Sequence, residues 1–232
     1  MRLFLFFSLL IFSFQGTAQE YFLFVGTYTN NGSKGIYVYK FNAATGEAKW
    51  VSNTDSAANP SYLSLSPGGK YVYAVYEEGG QKNGQVSAYA FDRATGRLRF
   101  LNQQPTGGDH PCYVSNTRDN KWVAVANYTG GNFSVFPVHA DGSLKPAVQT
   151  IQHEGSGANK ARQAKPHVHA AVFSPKDDYL FVPDLGIDKV KVYKFSPSVS
   201  EPLKPAEPAF AASEAGAVPG TWLFIQMANL ST

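Results

Sequence analysis

The chain has 232 residues, 20 of them Lys or Arg and 17 Asp or Glu, with 1 Cys and 2 Met. Its basic residues are scattered, so no run of positive charge suits nucleic acid, and the single Cys112 cannot close an internal disulfide. Abundant Tyr, Phe, Gly and Pro favour strands and turns over helices.

The first residues, MRLFLFFSLLIFSFQGTAQE, have the pattern of a secretory leader: one Arg, an apolar run from Leu3 to Phe14, then small residues at Gly16, Thr17 and Ala18. The apolar run is well short of the roughly 20 residues needed to span a bilayer. Cleavage near Ala18 is expected, giving residues 1–18 as signal peptide and an exported protein, periplasmic or secreted, with no membrane span left. No Cys follows the run, which argues against a lipoprotein.

From Tyr21 onward the chain repeats. Strand-like runs appear as YFLFVGTYT (from Tyr21), KYVYAVYE (from Lys70), KWVAVANYT (from Lys121) and DYLFVPDLG (from Asp178). Each alternates or is nearly all apolar, as a buried strand is. A polar or Gly-containing corner follows each, then a second strand: GIYVYKF, QVSAYAF, NFSVFPV, KVKVYKF. Tight turns come next at Ala44-Thr45-Gly46, Ala94-Thr95-Gly96 and Ala140-Asp141-Gly142. Pro60, Pro111 and Pro166 recur at intervals of roughly 50 residues, and about four strands per such period is the signature of a β-propeller. The expected fold is all-β, with four-stranded antiparallel blades set radially. KYVYAVYE, KWVAVANY and DYLFVPDL would be innermost or next to innermost in their blades. A β-sandwich would not demand so long a self-similar unit.

The densest group of titratable residues lies in RQAKPHVHAAVFSPKDDYLFVPDLGIDKV, from Arg162 to Val190. His167 and His169 are two apart, so in extended backbone both rings lie on one face. Near them in sequence stand Arg162, Asp184 and Asp188. His110, after Gly107-Gly108-Asp109, holds the equivalent corner one blade earlier and is expected at the same end of the axis. Asn127-Tyr128 and Thr27-Tyr28 end strands where side chains can reach a sugar. His139 and His153 read as solvent-facing loop residues, and Cys112 as a small buried thiol. His-x-His with Asp184 as a third ligand also suits a metal ion, although with no Cys or Glu cluster no metal and no cofactor is expected. Asp184-Leu185-Gly186 alternatively makes only the turn between two strands, with Asp188 bonding local backbone.

Residues 196–220 turn Pro- and Ala-rich, as an outer strand and a connection to a next blade would. The last residues, TWLFIQMANLST, fit no blade position. Residues 19–220 are therefore expected to form a partial propeller of about four blades, and 221–232 an aberrant tail. Pro219 stands where the next blade's leading proline is due. Read two bases later, the codons of Pro219 to Thr232 permit RHLAFHPNGKFIY, the pattern of another blade strand, so a frameshift near Val218-Pro219 is expected.

The sequence resembles the seven-bladed β-propeller lactonase family, which includes propeller-type 6-phosphogluconolactonases and carboxy-muconate cyclising enzymes. The resemblance is carried by VGTYT (from Val25), GIYVYKF (from Gly35), NPSYLSLSPGGKYVYAV (from Asn59), HPCYV (from His110), VANYTGGNFSVF (from Val125), RQAKPHVHAAVFSP (from Arg162) and FVPDLGIDKVKVYKF (from Phe181). It implies seven blades, of which about four are present, and a small-molecule sugar lactone as substrate. In the cyclising enzyme a histidine of the PHxH segment works with an arginine of a GPRH segment and a later glutamate. Only the histidine maps here, so the resemblance implies an impaired activity. Lactone opening needs an activated water, and a neutral His serves as base and then returns the proton. His169 is the first choice for that ring and His167 the second, with Arg162, His110, Asp184 and Asn127 as substrate-binding candidates. The second functional class is a non-catalytic exported propeller that binds a ligand or protein across its face.

Overall fold

The computed structural model describes residues 20–217 apart from 31, 55, 56, 82 and 83. The expected leader (1–18) and altered tail (221–232, with Pro219) lie outside the described residues.

Four antiparallel sheets follow one another along the chain. The first holds β1 (Glu20–Val25), β2 (Tyr37–Asn42) and β3 (Ala48–Asn53). The second holds β4 (Leu63–Leu65), β5 (Tyr71–Tyr76), β6 (Gln85–Asp92) and β7 (Arg97–Pro105). The third is β8 (Pro111–Asn116), β9 (Trp122–Asn127), β10 (Asn132–Pro137) and β11 (Gln149–Gln152), and the fourth β12 (Val172–Phe173), β13 (Tyr179–Asp184), β14 (Lys189–Phe195) and β15 (Leu203–Ala212). Each is a simple meander, so β5, β9 and β13 are the second strands of their sheets. The first strands β4, β8 and β12 lie side by side, which marks them as the strands nearest a common axis. The first sheet departs from the four-strand expectation: β1 takes the place of β5, and among the described residues no strand corresponds to β4.

The near-continuous apolar runs have a direct cause. A strand turns successive side chains to opposite faces, and here both faces of an inner strand are covered. Val72 and Ala74 of β5 pack toward the first sheet with Ile36, Ala57 and Tyr89, whereas Tyr73 and Val75 pack toward the third with Val123, Val125 and Phe136. Ala124 and Ala126 of β9 face the fourth sheet and meet Phe133, Leu180, Val182 and Tyr193. Three apolar layers thus join four blades, and each large side chain fully buried in them contributes about 1.5–3 kcal/mol. The outer face of the first blade differs. Phe22 and Phe24 of β1 pack edge-on against Phe91, while Tyr21, Leu23 and Val25 on its other face are exposed.

The tight turns behave as their residues demand. Gly46, Gly96 and Gly142 all have φ between 68° and 85°, the left-handed region that glycine enters without cost. The Pro-rich stretch supplies β15, the outer strand of the fourth blade.

Candidate active site at the mouth of the propeller

The segment carrying His167 and His169 enters the fourth blade without joining its sheet as a regular strand. It is clipped instead onto the corner at the end of β13. Val168 forms an isolated antiparallel bridge with Asp184. Leu185 N donates to His167 O at 2.9 Å, and His169 N donates to Pro183 O at 3.1 Å. Gly186 is needed because the segment passes so close: a Cβ there would lie 1.9 Å from Lys165 O and 2.7 Å from His167 N.

Clipped in this way, both rings meet Tyr128, which follows β9. The His167 ring stacks on Tyr128, with centroids 4.6 Å apart and planes 23° apart, and its Nδ1 lies 3.2 Å from Tyr128 O. The His169 ring meets the same tyrosine edge-on, with centroids 6.0 Å apart. The two-residue spacing therefore does bring the rings to one side.

His110 occupies the preceding corner. Its N–H donates to Glu78 O and its carbonyl accepts from Tyr128 N, so it ties the second blade to the third beside the histidine pair. Its φ is 52°, a conformation that costs a non-glycine residue on the order of 1 kcal/mol. The ring lies against Gly79, where a Cβ would stand 2.0 Å from Cε1.

Glu77, at the end of β5, was not singled out by the sequence. Its Oε2 accepts from Tyr28 Oη at 2.9 Å and from Ser61 Oγ. Its neighbour Glu78 accepts from Asn59 Nδ2 at 2.6 Å. The signal was present in outline, because Glu77 follows β5 in the same position that Tyr128 holds after β9. Burial lowers the pKa of His169 from its ordinary value near 6.5, and the Glu77 charge partly opposes that shift. The phenol of Tyr28 is pushed up, first by burial and then by Glu77. Near neutral pH the site thus presents a neutral imidazole and a protonated phenol beside Glu77.

Cys112 is the extra residue of a bulge between β8 and β9, which turns its Sγ toward His169 O at 3.5 Å. Burial pushes its pKa up to about 12, so it remains a thiol, as expected of a structural cysteine.

Other candidates fall elsewhere. Asn127 is fully buried, its Nδ2 bonded to Thr106 O and Asn132 Oδ1; it staples the interior of the third blade and cannot touch a substrate. Asp184 is also fully buried. Its Oδ1 accepts from His167 N at 2.7 Å and Gly186 N at 2.8 Å, and its Oδ2 lies 2.7 Å from His153 Nδ1. It is an internal anchor rather than a substrate contact, and with its oxygens so engaged the His167–His169–Asp184 metal triad is not assembled. No group of three or more His, Cys, Asp or Glu among the described residues is arranged to hold an ion. His153 is 3% exposed, which corrects its reading as a solvent-facing residue, whereas His139 is exposed. Asp188 accepts from Ala158 N and Gly216 N, about 30 residues away on either side. Arg162 is exposed on the turn before the histidines, its backbone N–H bonded to Asn159 O.

Residues 22–226 match the family profile described as "Lactonase, 7-bladed beta-propeller". A 6-phosphogluconolactonase of Bacillus subtilis is 41% identical over 183 residues, covering 78% of this chain and 51% of that protein. One from Formosa agariphila is 39% identical over 173 residues, covering 74% and 49%. Among solved structures, the Pseudomonas aeruginosa periplasmic gluconolactonase PpgL superposes with a TM-score of 0.82 at 41% identity, covering 88% of this chain and 58% of that one. The chain spans about half the length of the curated relatives it matches.

Proposed function

The chain belongs to the seven-bladed β-propeller lactonases, and from that membership we propose that it opens a sugar lactone, with His169 as the base that activates water. The observation that carries this reading is the convergence of His167, His169, His110 and Glu77 around Tyr128 and Tyr28, drawn from all four blades onto one end of the axis.

The chemistry follows from the protonation states. Neutral His169 takes a proton from water as the oxygen bonds to the lactone carbonyl carbon. The imidazolium so formed is stabilised by the nearby Glu77 carboxylate. When the tetrahedral intermediate collapses, the ring C–O bond breaks and the same imidazolium returns its proton to the departing alkoxide. Atoms balance as water plus lactone gives hydroxy acid. His167, stacked on Tyr128, and His110 line the mouth where the sugar hydroxyls would lie.

The similar proteins named above act on 6-phosphogluconolactone or gluconolactone. The periplasmic relative and the leader-like residues 1–18 support an exported protein, for which the unphosphorylated lactone is the better substrate. No helix among the described residues is long and apolar enough to cross a membrane. N-terminal sequencing of the secreted or periplasmic fraction tests the leader.

The activity test is a pH-stat assay of δ-gluconolactone and its 6-phosphate with the purified chain, beside the Bacillus subtilis relative. Opening above the spontaneous rate, slower than that relative and abolished by His169→Gln, is the expected result. Saturable gluconate binding with no opening would assign a non-catalytic binding propeller instead, and neither binding nor opening would overturn both readings.

A further inference from the structure

The buried anchor beneath the two histidines has more partners than a turn requires. Asp184 is 0% exposed and His153 3% exposed. A carboxylate taken wholly out of water is tolerated only when its oxygens are bonded. The three donors it meets come from different places: the His167 N–H, the Gly186 N–H and the His153 ring. On the far side of that ring, Nε2 lies 3.0 Å from Tyr193 Oη.

The direction of this chain of bonds follows from the donor inventory. An ionised carboxylate only accepts, so His153 Nδ1 carries the proton it shares with Asp184. In the tautomer that carries its proton on Nδ1, Nε2 holds the lone pair that accepts from the Tyr193 O–H. Burial, and then the Asp184 charge, raises the Tyr193 pKa, so that hydroxyl keeps its proton. The sequence of bonds runs Tyr193 O–H to His153, His153 N–H to Asp184, and His167 N–H to Asp184. It crosses a blade boundary: His153 follows β11 of the third blade, its own N–H fixed to Gly131 O at 3.0 Å, whereas Tyr193 and Asp184 belong to the fourth. Phe133 packs against both rings, which keeps water from competing for these bonds.

We infer that Asp184, His153 and Tyr193 are positioning residues that set the backbone of the His167–His169 segment, and so the aim of both rings into the mouth. The inference rests on the lactonase reading for its catalytic consequence, but its structural content is separate. None of the three touches substrate; they act through His167 N–H and through the corner that also holds His169 N–H.

The test turns on a rescue. A glutamine at 153 can donate through Nε2 to Asp184 and accept through Oε1 from Tyr193, whereas a phenylalanine can do neither. His153→Gln, His153→Phe, Asp184→Asn and Tyr193→Phe would be compared by the imidazole C–H resonances and titration of His167 and His169, by kcat and KM, and by thermal melting. The expected result is displaced His167 and His169 signals in His153→Phe and Asp184→Asn, restored in His153→Gln. kcat should fall by about 10- to 100-fold where the signals move, as for an active-site displacement of near 1 Å, with KM changed much less. Tyr193→Phe, which deletes one hydroxyl, gives the smallest displacement and keeps the comparison open should Asp184→Asn fail to fold. Unmoved His167 and His169 signals in folded His153→Phe and Tyr193→Phe would overturn the inference. Signals that move with no loss of turnover would uphold positioning and refute the role given to His169.

Discussion

Replacing Gly186 by alanine tests most directly how the site is held. The added Cβ would stand 1.9 Å from Lys165 O, 2.7 Å from His167 N and 2.7 Å from Pro166 Cα. All three are backbone atoms, so none can swing aside as a flexible side chain would. Reaching the 3.0 Å below which real Cβ contacts are essentially never seen requires a withdrawal of about 1 Å. That movement stretches the bonds from His167 N to Asp184 and from Leu185 N to His167 O. Two hydrogen bonds at about 1 kcal/mol each, plus a buried carboxylate oxygen left short of a donor, amount to about 2–4 kcal/mol. With a urea m-value near 2 kcal/mol/M, the unfolding midpoint should fall by about 1–2 M. The matched control is Gly68→Ala, where nothing lies within 4 Å of the added carbon; it should stay within about 0.5 kcal/mol of the parent. Urea melts followed by tryptophan fluorescence, with the His167 and His169 ring resonances recorded in parallel, give both readouts. A midpoint within 0.3 M of the parent together with unmoved resonances, a change of under about 0.6 kcal/mol by the same m-value, would refute the claim that this close approach sets the site.

The lowered pKa of His169 places its protonation below pH 6.5 in the folded chain. The unfolded chain therefore binds more protons there, and this ring's contribution to stability, complete above about pH 6.5, is lost as pH falls through the folded-state value. The acid limb of kcat/KM should likewise lie below pH 6.5, as a pH-rate profile would reveal; a limb above that value would assign the base elsewhere. Glu77→Gln removes the charge that opposes the His169 shift and helps to raise the Tyr28 pKa. Both midpoints should move down, read by NMR titration of the ring and ultraviolet titration of the phenol. Gly79→Ala puts a Cβ 2.0 Å from His110 Cε1, so the ring must rotate away. Its resonance should shift and sugar binding weaken while the melting point changes little, whereas an unaltered His110 signal would contradict the packing described.

Much of the architecture was already written in local pattern. The run from Val72 to Val75 is apolar at every position because alternate residues serve two different interfaces, and a strand buried on both sides leaves no polar positions to mark a face. The common side of His167 and His169 follows from the two-residue repeat of extended backbone. What each polar residue does was not local. His153 follows Gln-Thr-Ile-Gln and reads as exposed, yet Tyr193, 40 residues later, and Asp184 enclose it. Asp184 and Asn127 read as strand-end groups open to a ligand, but the bonds that bury them come from other corners. Glu77 and Glu78 are indistinguishable in Tyr-Glu-Glu-Gly-Gly. The first meets Tyr28 of the first blade and lies within the field of His169 of the fourth, while the second bonds Asn59. Backbone periodicity is a property of neighbours in the chain, so it survives in sequence. Burial and hydrogen-bond partnership of a polar side chain depend on which blades come together, and only the assembled fold decides that.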